Sequence, residues 1–295
     1  MKSSRTKKLY LVDAYVDSFE ARIVSCTRAE DGFEVILDAT YFYPTSGGQR
    51  CDLGTIEDAV VTSVHESPEG EVIHVTASPP PEGNAACRID RNRRFDHMQQ
   101  HTGQHILSRA FIEVADAETV SFHMGEETCT IDLAAGDISP RKITEAEELA
   151  NRVVWEDREV RVEEVDSSRA GDLELRKPLP PGVSNVRLVE VEGFDVCPCC
   201  GTHVHRTGEL GLVKVVKLEK AKQGTRVHFK VGARAYKDYS AKHELVSSLM
   251  SRLTTSSEGI GDKISKLTEE NRSLRRKLKD AESRLVLVDR ERLLA

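Results

Sequence analysis

The 295-residue sequence has no apolar run approaching the roughly 18 residues that a membrane-spanning helix needs. No membrane partner is therefore expected. A secretory signal is missing too: Met1 to Lys8 is basic, but the apolar stretch after it, Leu9-Tyr10-Leu11-Val12, is cut short at Asp13. A cytoplasmic location follows. The seven cysteines lack an obvious pairing scheme, since the count is odd and three of them crowd into Cys197, Cys199 and Cys200. That is a poor disulfide framework and a reasonable metal cluster for a reducing compartment. Excess positive charge is also absent. A net charge of −7 argues against a protein that coats nucleic acid indiscriminately. Locally, Lys214, Lys217, Lys220, Lys222, Arg226, Lys230 and Arg234 stand against one acid, Glu219. That stretch reads as a phosphate-binding face or as a solvated strand pair. There is no G-x-x-x-x-G-K-[ST] phosphate loop.

What is present is enough apolar residue, 39%, to bury real cores, in a length that suits two or three compact units. Up to about Ile89, short β-type runs at 21–26, 32–37, 59–64 and 71–75 are broken by turn residues and end before Pro79-Pro80-Pro81. Residues 1–92 are therefore expected to form a β-rich domain. From Asp96 to Val114, apolar residues recur at helical spacing, and a second helix is expected over 144–156. Further β-type runs lie at 128–133, 159–165, 186–191, 212–218 and 225–231, so 93–233 reads as an α+β domain around an antiparallel sheet. Residues 234–295 read as helix. Ile264, Leu267, Asn271, Leu274, Leu278, Ala281, Leu285 and Val288 alternate by three and four, the a/d pattern of a coiled coil. Asn271 at an a position suits a parallel homodimer, and a fold-back on the preceding helix across 254–262 is the other arrangement that would cover the seam. The pattern still runs at Ala295, which suggests a longer natural chain.

His101 and His105 lie four apart in the expected helix, so their imidazoles project from one face and can close on one ion. Far along the chain, Cys199-Cys200-Gly201-Thr202-His203 offers a thiolate and an imidazole with three residues between them. Imidazole plus thiolate is a donor set of tetrahedral zinc, and the glycine is expected to let the backbone wrap closely. Cys197, Cys199 and Cys200 could instead hold a separate structural zinc, but no second cysteine pair is available to complete it. Four protein ligands describe a closed site, whereas hydrolytic zinc needs an open position. Either one ligand yields, or the ion shapes the pocket while a separately placed water attacks.

Four motifs together resemble the editing domain of alanyl-tRNA synthetase and the related AlaX trans-editing proteins. They are Phe42-Tyr43-Pro44-Thr45-Ser46-Gly47-Gly48-Gln49 with Asp52 and Gly54, His101-Thr102-Gly103-Gln104-His105, Ser121-Phe122-His123-Met124-Gly125, and Cys199-Cys200-Gly201-Thr202-His203-Val204 with Thr207-Gly208-Glu209. The resemblance covers residues 9–239. It implies a β-barrel-like domain ahead of the editing fold, Zn2+ held by His101, His105, Cys199 and His203, and hydrolysis of the ester between a mischarged amino acid and the tRNA 3′ end. Its substrates would be tRNA(Ala) carrying serine and, in addition, glycine, with alanine spared. Cys200 departs from the related pattern, which has a second glycine there. With no aminoacylation module ahead of the β-rich domain, editing is expected to act in trans.

An aminoacyl ester is already activated, so the protein mainly positions water and stabilises the developing oxyanion. The Ser46-Gly47-Gly48-Gln49 turn can bring backbone N–H groups close to a substrate. Gln49 and His123 are the polar side chains expected beside the reacting centre, His123 as acid, base or hydrogen bonder. Thr45, Ser46 and Thr102 are candidates to meet a serine hydroxyl, and each also fits an ordinary turn or helix-end role. Two other readings of the chain stay open: a zinc hydrolase of another ester or amide, and a tRNA-binding coiled-coil module with structural zinc.

Overall fold

A computed structural model describes residues 5–171, 173–179, 182–222 and 224–294. In chain order the strands of the N-terminal part are β1 (Lys7–Lys8), β2 (Ser18–Ala29), β3 (Gly32–Leu37), β4 (Ala39–Thr40), β5 (Gly54–Ile56), β6 (Ala59–Glu66), β7 (Val72–Thr76) and β8 (Asn84–Ile89). Six of them close into an antiparallel barrel in the order β2-β3-β7-β6-β5-β8, while β1 and β4 form a short parallel pair. The last strand shows why the barrel closes: Ala85, Cys87 and Ile89 point inward and alternate with exposed Asn84, Ala86 and Arg88. Val35, Leu37, Phe42, Ile56, Val61, Val64 and Val72 fill the rest of its core.

His74 is buried inside that barrel, with Thr40 Oγ1 2.9 Å from Nε2 and the Val35 carbonyl 3.0 Å from Nδ1. Burial lowers its pKa from 6.5 to about 4. As pH falls, the unfolded chain takes up this proton first. The stability that neutral His74 contributes is therefore complete above pH 6.5 and lost progressively toward pH 4, a change of about 3 kcal/mol. Urea unfolding of a His74→Gln variant should accordingly show a shallower loss of stability between pH 7 and 4 than the parent does.

Helix α1 (Arg91–Ala115) follows the barrel directly, starting five residues earlier than its apolar periodicity suggests, because Asp90 caps it by accepting from Arg93 N–H. Next come β9 (Thr119–Met124), β10 (Cys129–Leu133), α2 (Pro140–Trp155), β11 (Val160–Asp166), α3 (Ser167–Gly171), β12 (Asn185–Val191), β13 (Asp195–Pro198), β14 (Val213–Ala221) and β15 (Gly224–Val231). Two antiparallel sheets result, ordered β14-β15-β10-β9 and β11-β12-β13. In α2, Ile143, Ala146, Ala150, Val153 and Val154 make one buried stripe. It shares a core with Ile106, Leu107, Ala110 and Phe111 of α1 and with Ile131, Val227 and Phe229 of the larger sheet. Gly103 is the close-approach point of α1, since a Cβ there would lie 2.5 Å from Val231 Cγ2 of β15. The architecture is mixed α+β with a barrel.

The chain divides into two compact units, 1–236 and 237–295. The second is helical, comprising most of α4 (Ala233–Leu253) and all of α5 (Ile260–Leu294). On α5, Ile264, Leu267, Leu274, Leu278 and Leu285 are exposed, so among the described residues no fold-back onto α4 covers these seam positions. Val288 belongs to the same pattern, but its side chain lies outside the described residues. No helix among the described residues is long and apolar enough to cross a membrane.

Candidate metal centre

One buried arginine locks the barrel to the helix that carries the first two histidines. Arg94, in the first turns of α1, pairs with Asp52 through Nε at 3.0 and 3.1 Å and also through Nη2. It further donates to the Ala14 and Tyr41 carbonyls, and Asp52 accepts from Tyr43 N–H. Both side chains are almost fully buried, and each polar atom finds a partner, the condition under which such a pair is tolerated. The segment between Tyr43 and Asp52 is thereby held beside α1.

Within that segment Ser46 and Gln49 exchange two backbone hydrogen bonds, at 3.1 and 2.9 Å, across Gly47 and Gly48. Both glycines have positive φ, 56° and 85°, the geometry of a tight two-residue hairpin turn. Gly48 is needed for space as well. A Cβ there would lie 2.4 Å from the Phe122 carbonyl of β9, and its own carbonyl accepts from Met124 N–H. The turn thus rests on β9 and delivers Gln49 inward, where it is completely buried.

His101, His105, Cys199 and His203 converge, with one ligand atom from each lying within 4.8 Å of all the others. Cys199 Sγ is 3.5 Å from His101 Nε2 and 3.3 Å from His203 Nε2. The outer ring nitrogens of two histidines are held by neighbours. Gln49 Oε1 accepts from His101 Nδ1 at 2.7 Å, and Thr102 Oγ1 is 3.1 Å from His203 Nδ1. With protons on the Nδ1 atoms, the Nε2 lone pairs face the centre. Gln49 is itself fixed by Thr202, whose N–H it accepts and whose Oγ1 it donates to. Phe122 stacks on the His101 ring at 5.3 Å.

Burial dominates the electrostatics. It lowers the His101 pKa to about 3 and those of His105 and His203 well below the ordinary 6.5, helped by the nearby cations Arg176 and Arg187. All three imidazoles are neutral at pH 7, the form that binds metal. Burial also pushes the Cys199 thiol up to about 12. A thiol among three neutral imidazoles offers four donor atoms to one ion, and a divalent ion would convert the thiol to a thiolate. Two imidazoles from the helix with a thiolate and an imidazole from the loop are a donor set that fits zinc.

The expected ligands are thus brought together, and Gln49 and Thr102 touch two of them. Thr45, Ser46 and Gly47 are exposed on the adjoining turn, with Gly48 half-buried. His123 is not brought to the cluster. Alternation along β9 sends Phe122 toward His101, while exposed His123 leaves by the other face beside Thr130. Neither Cys197, which is buried, nor Cys200, which is exposed, belongs to the cluster. Gly201 is required for a reason that spacing did not reveal: a Cβ would lie 2.1 Å from His101 Cε1 and 2.2 Å from Nδ1. Two residues escape sequence reasoning altogether. Asp195, 3.4 Å from His105 Nδ1, lies outside every β-type run read from the sequence, and its partner Arg176 lies in a stretch without periodicity.

Residues 186–228 match the family described as the threonyl and alanyl tRNA synthetase second additional domain, a span that includes Cys199 and His203. The alanyl-tRNA editing protein AlaX-L of Pyrococcus horikoshii is 34% identical over 239 residues, covering 78% of this chain and 59% of that protein. The alanyl-tRNA editing protein Aarsd1 of Rattus norvegicus is 30% identical over 281 residues, covering 90% and 68%. An alanine–tRNA ligase of Ignicoccus hospitalis is 31% identical over 295 residues, 95% of this chain but 32% of the ligase. The chain therefore spans between about three-fifths and two-thirds of the length of the editing proteins it matches, and it belongs to the AlaX-type alanyl-tRNA editing family.

Proposed function

We propose that this chain is a trans-acting hydrolase that deacylates tRNA(Ala) carrying serine or glycine and spares alanine. The observation that supports it most is the convergence of three neutral imidazoles and Cys199 beside the Ser46–Gln49 turn in a member of this family. His101, His105, Cys199 and His203 would hold zinc. When bound, the ion would fix the four side chains and, where one of them yields its position, supply Lewis acidity for the ester carbonyl.

The remaining work falls to the chain's own groups. Gln49 and Thr102 are completely buried and bonded to ligand histidines, so they act as positioning residues for His101 and His203. The substrate side is assigned to Thr45, Ser46, Gly47 and Gly48. The turn is closed by the N–H groups of Ser46 and Gln49, so those of Gly47 and Gly48 are the ones to meet the developing oxyanion. Thr45 Oγ1 accepts from Cys51 N–H and retains its own proton to offer a serine hydroxyl. Thr45 is exposed in the free chain, so alanine would leave that donor without a partner only where the bound ester shuts water out, the condition under which a polar pocket discriminates by large factors. His123, on the opposite face of β9, is given no proton-transfer step.

The division 1–92, 93–233 and 234–295 is kept as the functional division: barrel, editing domain and helical extension. The uncovered heptad residues of α5 support a coiled-coil homodimer. Seven unpaired cysteines suit the cytoplasm.

Incubation with tRNA(Ala) charged with serine, glycine or alanine tests the reading. Serine and glycine should be released and alanine retained. Equal persistence of all three esters would end it, and cleavage of a small ester alone would favour a different hydrolase.

A further inference from the structure

Two of the three ligand histidines have an evident holder for the outer ring nitrogen, and His105 does not. Its Nδ1 is buried with no hydrogen-bond partner. The nearest acceptor is Asp195 Oδ2 at 3.4 Å, and that oxygen is also buried and unpartnered. The two orphans face each other at 3.4 Å, about half an ångström beyond a charge-assisted N–H···O of 2.7–2.9 Å, a gap that a small rotation closes.

Resting on the metal-centre reading, we propose that Asp195 is the positioning residue of His105: its carboxylate accepts from Nδ1–H, fixes the ring tautomer and turns Nε2 toward the metal. Arg176 holds the carboxylate in place. Its Nε donates to Asp195 Oδ1 at 2.8 Å, and its backbone N–H donates to the Val196 carbonyl. The Asp195 side chain is fully buried and that of Arg176 is 2% exposed. Stability alone is a weak reason to keep such a pair, because apolar residues of similar volume generally do as well or better. A task for the carboxylate explains it. Asp195 opens β13 and Cys199 follows its end at Pro198, so one short strand delivers a ligand and the holder of another ligand. Every histidine of the cluster then has an Nδ1 partner from a different place in the fold: Gln49 from the turn between β4 and β5, Thr102 from α1 and Asp195 from β13. Such partners typically carry a 10- to 100-fold effect on metal affinity.

The test is zinc affinity of the full chain by chelator competition, with cobalt(II) absorption as a second readout of the site and thermal unfolding of the metal-stripped protein as the control for folding. A double variant, Arg176→Met with Asp195→Leu, removes both charges together and leaves neither buried alone. It should bind zinc about 10- to 100-fold more weakly, with a shifted cobalt spectrum, while the stripped protein unfolds at or above the parent's temperature. Should that variant not fold, Asp195→Asn, which keeps an acceptor for Arg176, should still weaken zinc about tenfold. Zinc affinity within twofold of the parent and an unchanged cobalt spectrum would overturn the assignment, leaving Asp195 as a structural partner of Arg176. No tRNA enters this measurement. A parent that binds zinc tightly but deacylates nothing would sink the editing reading and leave this inference standing, whereas a parent that binds no zinc would overturn both.

Discussion

Replacing Cys199 with alanine is expected to weaken zinc binding by about a thousandfold or more, roughly 4 kcal/mol, and to abolish deacylation of seryl-tRNA(Ala) with it. The size follows from chemistry rather than from packing. Cys199 is the one anionic donor available to the cluster, since the other three ligands are imidazoles held neutral by burial. Removing it leaves a divalent charge in a buried site with no anionic ligand, the Asp195 carboxylate being one imidazole away. The stripped protein, by contrast, should lose little, because there the thiol is a neutral group pushed up to about 12. Calorimetry of loaded and stripped forms separates the two: the variant should erase most of the gap between them while hardly moving the stripped transition. The same values set a pH dependence. Between pH 6 and 9 the histidines of the folded chain carry no proton to lose and Cys199 carries one, so zinc binding releases one proton. Affinity for zinc should rise tenfold per pH unit across that range in chelator competition.

The second large effect is expected from one methyl group, in Gly201→Ala. The new Cβ would lie 2.1 and 2.2 Å from ring atoms of His101 and 3.0 Å from Gln49 Oε1. Distances that short cannot be met without displacing something. The flexible-end escape is closed, because His101 is buried, bonded to Gln49 through Nδ1, and stacked on Phe122. Displacing the imidazole costs one of four ligands and the Gln49 bond together. A loss of about a hundredfold or more in zinc affinity is expected, with deacylation falling in parallel. Gly47→Ala makes a useful comparison, since it adds a side chain with nothing within 4 Å and strains only its positive φ. It should leave zinc affinity unchanged. If Gly201→Ala bound zinc like the parent, the cluster geometry described above would be wrong.

The four-residue cluster was legible because its information is local: four residues of helix place His101 and His105 on one face, and a short loop ties Cys199 to His203. The β-type runs were equally legible where alternation is clean, as in Gly32–Leu37, which the structure reproduces residue for residue. What could not be read were long-range approaches. Whether Gln49 meets substrate or a histidine depends on the Arg94–Asp52 pair that pins its turn to α1, joining residues 42 positions apart. His123 sits in a motif beside Phe122, and only the orientation of β9 decides which of the two faces His101. Gly201 looked like a backbone requirement and is a space requirement, set by a ring 100 positions away. Asp195 carries no pattern at all, because a lone acid between the expected strands has no signal until the fold brings it within 3.4 Å of His105.

The central claim is that the His101, His105, Cys199 and His203 cluster holds the zinc on which ester hydrolysis depends. It is tested most directly by following release of serine from seryl-tRNA(Ala) by the full chain as prepared, after chelator stripping, and after zinc is restored in stoichiometric amount. The account predicts hydrolysis, its loss on stripping and its recovery with one zinc per chain, with alanyl-tRNA(Ala) intact throughout. Undiminished hydrolysis by protein shown to be free of metal would contradict it.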